Sequence, residues 1–159
     1  MVRENEGVNS DSRYRIGYYE LCAPDYRLVC ELAKAAGKRD EEILEILKSG
    51  KAGNKKTGEF KTVIKKGRFI NLIIKGKDLS LISFPNVEGL VIEKLYLGSL
   101  ETLTELDLSY LPNLKTLTSC NNNLSELDLS FVPNLEVLNC WNNNLTELDL
   151  NYVPNLLIL

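Results

Sequence analysis

Residues 103–117 read LTELDLSYLPNLKTL, and the same text returns as LSELDLSFVPNLEVL at 124–138 and as LTELDLNYVPNLLIL at 145–159. The chain therefore repeats every 21 residues over its last third. Leucines recur in step at Leu106, Leu127 and Leu148, at Leu108, Leu129 and Leu150, and again at Leu117, Leu138 and Leu159. A Pro-Asn-Leu step punctuates each unit at Pro112, Pro133 and Pro154. A unit this short has too little volume to bury its own apolar side chains, so it must stack on a neighbour and share a continuous core. The expected architecture is a solenoid.

Within the repeat, Leu114, Leu117, Ser119, Asn122 and Leu124 fit the frame L-x-x-L-x-L-x-x-N/C-x-L, and so do Leu135, Leu138, Cys140, Asn143 and Leu145. On those residues the chain resembles the leucine-rich repeat family, in its 21-residue, prokaryotic-looking form. The resemblance implies an α/β solenoid, a right-handed stack with one short parallel strand per turn and a concave strand wall. It places strands near Leu90 to Ile92, Leu117 to Ser119 and Leu138 to Cys140.

Side chains alternate along a strand. Leu117, Ser119, Leu138 and Cys140 should therefore point inward, while Thr116, Thr118, Cys120, Val137, Asn139 and Trp141 face outward on the concave wall. Trp141 is the sole tryptophan. It reads either as an interaction anchor or as a ring packed along Cys120 of the preceding turn. The ELDL segments should carry inward leucines on the opposite wall, with Glu105, Asp107, Glu126, Asp128, Glu147 and Asp149 turned to water. Stacked at strand spacing, Asp107, Asp128 and Asp149 either share a cation or are simply hydrated. Asn122 and Asn143 read as a structural ladder whose amides satisfy backbone groups, with ligand binding by the neighbouring Asn121 and Asn142 as the alternative.

Leu79, Leu81, Phe84, Pro85, Asn86 and Val87 copy the spacing of Leu106, Leu108, Leu111, Pro112, Asn113 and Leu114. This marks a degenerate first repeat of 27 residues beginning near Asp78, with Val87, Leu90 and Ile92 as its core strand positions and its six extra residues within VIEKLYLGSLETL. The repeat region is thus 78–159. Upstream, the expected organisation is a disordered or loosely ordered tail over 1–20, a helical N-terminal cap and linker over 21–58, and a β-hairpin cap over 59–77. The cap's first helix should span Asp25 to Ala36 and stop at Gly37. Its second should span Asp40 to Lys48, with Asp40 as cap and Glu41 and Glu42 at its positive end. Phe60 to Ile64 and Phe69 to Ile74, joined through Gly67, should pair as the hairpin.

The formal charge is -3 over 159 residues, which argues against a dedicated nucleic-acid binder. Lys48 to Lys77 nevertheless holds ten Lys or Arg and one acid, Glu59, and reads as solvated surface or as a docking patch for an acidic partner. The opening residues, MVRENEGVNSDSR, contain no apolar leader, and no run approaches membrane-spanning length, so a cytoplasmic location and no membrane partner are expected, with export by a non-classical route left open. The four cysteines lack C-x-x-C spacing; reduced thiols are the expectation, with a Cys22 to Cys30 bridge left open for an exported form. The chain has no histidine, which removes imidazole-based triads and metal sites. Gly53 to Gly58 has a phosphate-loop gap, but Glu59 follows where Lys is required. No catalytic residue, cofactor or metal is expected.

Leu159 stands at the fourth position of a repeat strand, leaving Asn155, Leu156, Leu157, Ile158 and Leu159 without a following turn. A bare solenoid end invites either continuation in a longer array or a second copy, so homo-oligomer formation through this segment is expected. Three functions compete. The first is a non-enzymatic protein-protein interaction module using the concave face, which the family resemblance implies. The second is a fragment or adaptor part of a larger leucine-rich repeat effector. The third is a self-assembling structural solenoid.

Overall fold

The computed structural model describes residues 13–16, 19–49, 63–65, 68–75, 85, 87–100 and 102–159. The elements in chain order are β1 (Arg13–Ile16), β2 (Tyr19–Cys22), α1 (Ala23–Ala36), α2 (Asp40–Ser49), β3 (Val63–Lys65), β4 (Arg68–Lys75), β5 (Lys94–Gly98), β6 (Thr116–Thr118) and β7 (Val137–Asn139). Of the expected N-terminal tail, residues 1–12 lie outside the described residues, but β1 and β2 pair as an antiparallel ladder. The alternation Tyr14, Ile16 against Arg13, Arg15 carried that signal. Tyr14 stacks on Tyr26 of α1 with ring centroids 4.7 Å apart, which ties the ladder to the helix.

The first helix begins at Ala23, two residues before the expected start, because Pro24 fits the first turn, where its missing N–H is not needed. It ends as expected at Gly37, whose φ of 62° lets Lys38 N–H return to Ala33 O (2.9 Å). Leu28, Val29, Leu32 and Ala33 form its buried stripe. The second helix starts at Asp40, but Asp40 does not cap it. Glu42 reaches back to accept the Arg39 N–H (2.9 Å), half of a capping box, while Asp40 accepts the Cys30 thiol (3.3 Å). Cys30 is therefore engaged with Asp40, and the four cysteines form no disulfide. No helix among the described residues is long and apolar enough to cross a membrane.

The five-stranded sheet has the order β3-β4-β5-β6-β7. β3 pairs antiparallel with β4, giving the expected hairpin, and all other pairings are parallel. The hairpin is thus more than a cap, since its second strand is also the first strand of the parallel stack. Leu72, Leu95, Leu117 and Leu138 align across it, and each is fully buried. The parallel strands are compatible with the expected solenoid.

The first-repeat strand is not at Leu90 to Ile92. Val87, Leu90 and Ile92 are buried core residues, but the strand lies at Lys94–Gly98, with Leu95 opposite Leu117. Val87 to Leu95 spans eight residues where Leu114 to Leu117 spans three, so most of the insertion precedes the strand. The Leu95-x-Leu97 pair, which places two leucines on one face, outcompeted the Pro-Asn-Val register. Leu79, Leu81, Phe84 and Asn86 lie outside the described residues.

Along the opposite wall Leu106, Leu108, Leu127 and Leu129 are buried and their Glu and Asp neighbours exposed, as expected, but in the last ELDL segment Leu148 is only half-buried and Leu150 is 39% exposed. One continuous core runs from α1 and α2 through the strands to Val153. At the junction, the fully buried Asp25 accepts from Arg68 Nε (2.6 Å) and Phe69 N (2.7 Å). The Arg68 guanidinium also donates to Gly89 O. Burial pushes the Asp25 carboxyl above its ordinary value, against the pull of the Phe69 amide and Arg68. Gly89 has φ +81° and sits so close to Pro24 that an added Cβ would come within 3.1 Å of its ring.

Candidate functional site

The outward face of the sheet is built in rows, because parallel strands in register place equivalent residues side by side. One row is Asn71, Lys94, Thr116 and Val137, which Ile158 extends through a single bridge to Val137. The next is Ile73, Tyr96, Thr118 and Asn139. Thr116, Thr118, Val137 and Asn139 are half-buried, and Trp141 is 59% exposed. The inward alternates behave as expected at Leu117, Leu138 and Ser119, all fully buried; Cys140 is half-buried.

Cys120 departs from the expectation of a surface residue. It is 7% exposed, and its Sγ donates to Asn139 Oδ1 (3.0 Å) and lies 3.6 Å from Asn139 O. Burial pushes its thiol pKa up, with the Trp141 N–H pulling the other way. Trp141 is 59% exposed, while the Cys120 thiol is engaged by Asn139.

Two residues on this face escaped the sequence reading. Tyr96 and Lys94 lie beside Thr118 and Thr116 because the strand is Lys94–Gly98. The signal was the alternation Leu95-Tyr96-Leu97, read as part of an insertion. Gly98, on the same face, leaves open space where a side chain would stand.

The turn after each strand explains the asparagines. Asn121 (φ 55°) and Asn142 (φ 57°) adopt the left-handed conformation that Asn tolerates better than most residues. Asn122 Oδ1 accepts from Leu100 N (2.8 Å), and its Nδ2 donates to Leu97 O (2.8 Å) and Ser119 Oγ (3.1 Å). Asn143 repeats the pattern, accepting from Leu124 N (3.1 Å) and donating to Ser119 O (2.6 Å) and Cys140 O (2.8 Å). The expected ladder of amides is present, buried at Asn122 and half-buried at Asn143. Outside it, Asn142 Nδ2 donates to Asn121 Oδ1 (2.7 Å). Trp141, Asn139 and Asn142 border an open hollow of about 650 Å³.

A larger hollow, about 890 Å³, lies on the opposite wall among Glu105, Asp107, Glu126, Asp128, Glu147 and Asp149. We place the candidate site on the strand face, because the aspartates of the acidic wall are occupied locally. Asp107, Asp128 and Asp149 each accept the backbone N–H two residues on, all at 2.9 Å. That bond holds the Asp128 carboxyl below its ordinary range. No cluster of three or more acidic or thiol side chains suited to a metal ion occurs among the described residues. Most of the basic stretch from Lys48 to Lys77 lies outside them.

Of the segment expected to self-associate, Leu157, Ile158 and Leu159 are strongly exposed. Leu156 is instead partly buried against the core, and Asn155 Nδ2 donates to Pro133 O (3.4 Å). Ile158 extends the parallel sheet, its O accepting from Leu138 N (2.9 Å).

No protein-family model matches the chain, and no curated protein matches it. Among solved structures it is similar to the functional domain of InlJ from Listeria monocytogenes, described as including a cysteine ladder. The identity is 27% and the TM-score 0.45, over 48% of this chain and 17% of that one. The chain therefore spans about a sixth of the length of that relative.

Proposed function

We propose that the chain is a non-enzymatic protein-protein interaction module of the leucine-rich repeat type, binding a protein partner through the concave face of a right-handed solenoid. In this reading it works in the cytoplasm without a cofactor. The observation that carries the reading is Trp141, 59% exposed on the strand face among uncharged, half-buried neighbours. A large ring held in water beside Val137, Thr118 and Asn139 is a ready anchor, because its burial by a partner removes apolar area that folding left wet. Tyr96 and Lys94 extend the same face toward the N-terminal strands.

Affinity capture comparing the intact protein with Trp141→Ala tests the reading. Truncating a central aromatic anchor should weaken capture by about 30-fold or more, the equivalent of about 2 kcal/mol. Unchanged capture would reject Trp141 as anchor; loss on changing Asp107 or Asp128 instead would move the site to the acidic wall.

A second reading, self-association of identical copies, is favoured by the exposure of Leu157, Ile158 and Leu159 on a segment whose backbone pairs with β7. Strand pairing between copies would bury these side chains together.

A further inference from the structure

We infer that Cys120 is a positioning residue: its thiol fixes the Asn139–Trp141 segment, so that the Trp141 indole is presented from an ordered backbone. The side chain is nearly enclosed and lies on the strand face where β6 runs into its turn. As a donor, the thiol reaches Asn139 Oδ1 at 3.0 Å. The same sulfur also lies 3.6 Å from Asn139 O. One thiol thus meets both the side chain and the backbone of Asn139, two residues before the ring.

The other side of Trp141 is pinned by independent contacts. Asn121 N donates to Trp141 O (3.1 Å), and Asn142, which follows the ring in a left-handed conformation, donates its amide to Asn121 Oδ1 (2.7 Å). Ser119 N donates to Asn139 O (2.7 Å). The ring is therefore free at its tip and held at its root. Such an arrangement lowers the ordering cost of binding, because the backbone freedom is already lost before a partner arrives. Alanine at position 120 would supply neither donor nor acceptor, whereas serine would supply both with a shorter reach.

The inference rests on the proposed function only for its biological consequence, since the positioning itself is measured without a partner. Trp141 is the sole tryptophan, so time-resolved fluorescence anisotropy of the native protein reports this ring alone. Cys120→Ala should increase the amplitude of nanosecond depolarisation while the far-UV circular dichroism stays unchanged, and Cys120→Ser should restore much of the slow component. An unchanged amplitude in Cys120→Ala, or identical traces for the alanine and serine variants, would overturn the assignment. Should Cys120→Ala lose its native dichroism, Asn139→Ala, which removes the thiol's side-chain acceptor, should show the same added depolarisation, and its absence there would equally overturn it. Where capture depends on Trp141, Cys120→Ala should weaken it about two- to tenfold. Added depolarisation with no Trp141-dependent capture would leave the positioning intact and reject the binding reading instead.

Discussion

Replacing Leu117 by alanine removes a side chain that is fully buried and flanked on neighbouring strands by Leu95 and Leu138, both also fully buried. The loss of three carbons forfeits about 2.4 kcal/mol of transfer free energy at about 0.8 kcal/mol per carbon. A cavity term adds to this, and it should be large here. The neighbouring backbones are tied by parallel ladders, with Thr116 N on Glu93 O (3.0 Å) and Val137 N on Lys115 O (3.0 Å), so the strands have little freedom to close over the hole. The expected total is about 3–5 kcal/mol, the upper part of the range for buried leucines. Thr118→Ala, one position along on the outward, half-buried face, should cost no more than about 0.5 kcal/mol. Urea melts followed by circular dichroism compare the two. Because a stack of turns couples only through nearest neighbours, Leu117→Ala should also broaden the transition by loosening the C-terminal turns from the rest. A cost below about 1 kcal/mol, or one equal to that of Thr118→Ala, would refute the inward and outward assignment.

Three further outcomes are expected. Asp25→Ala, which leaves Arg68 and the Phe69 N–H without their buried acceptor, should destabilise by about 3–5 kcal/mol in the same melts, with Asp25→Asn milder; a change under about 1 kcal/mol would show that this contact does not hold α1 to the sheet. Burial and the Asp40 carboxylate raise the Cys30 thiol to about 11 from an ordinary 9.0, so between pH 9 and 11 the folded protein keeps a proton that the unfolded chain releases, and stability should fall as pH rises through that window. Tyr26, raised to about 12 by its hydrogen bond with Cys30, adds in the same direction above pH 10; the decline should be visibly smaller in Cys30→Ala, and parallel declines in both proteins would contradict the assignment. If copies associate through residues 155–159, light scattering at high micromolar concentration should report a dimer that Leu157→Lys abolishes, and a monomer in both would reject that contact.

Periodicity disclosed most of the fold. A 21-residue spacing leaves few ways to bury three leucine columns, and Leu106, Leu108, Leu117, Leu127, Leu129 and Leu138 are all buried where the pattern puts them, whereas the last members, Leu148, Leu150 and Leu159, are not. It also placed Asn122 and Asn143 in their ladder, because a buried turn after a strand needs a side chain that both donates and accepts. Irregular segments were less legible. The strand at Lys94–Gly98 was displaced from the expected site because the Pro-Asn step sets the return loop, while the strand itself is set by which leucines can enter the shared core. The pairing of β4 with β5 is a contact between a hairpin and a repeat that no local pattern announces. On the candidate site, alternation oriented Thr116, Thr118, Val137, Asn139 and Trp141, but could not foresee that Asn139 would cover Cys120. That is a property of side-chain length across two strands, not of position in one.

The central claim is that a protein partner meets the strand face and not the acidic wall. Photo-crosslinking decides it most directly, with a benzophenone amino acid placed at Thr118 on the strand face or at Ser125 on the opposite wall, each in the full chain. The account predicts adducts with a protein partner from position 118, lost when Trp141→Ala is added, and none from position 125. Adducts from position 125 alone, or from position 118 irrespective of Trp141, would contradict it.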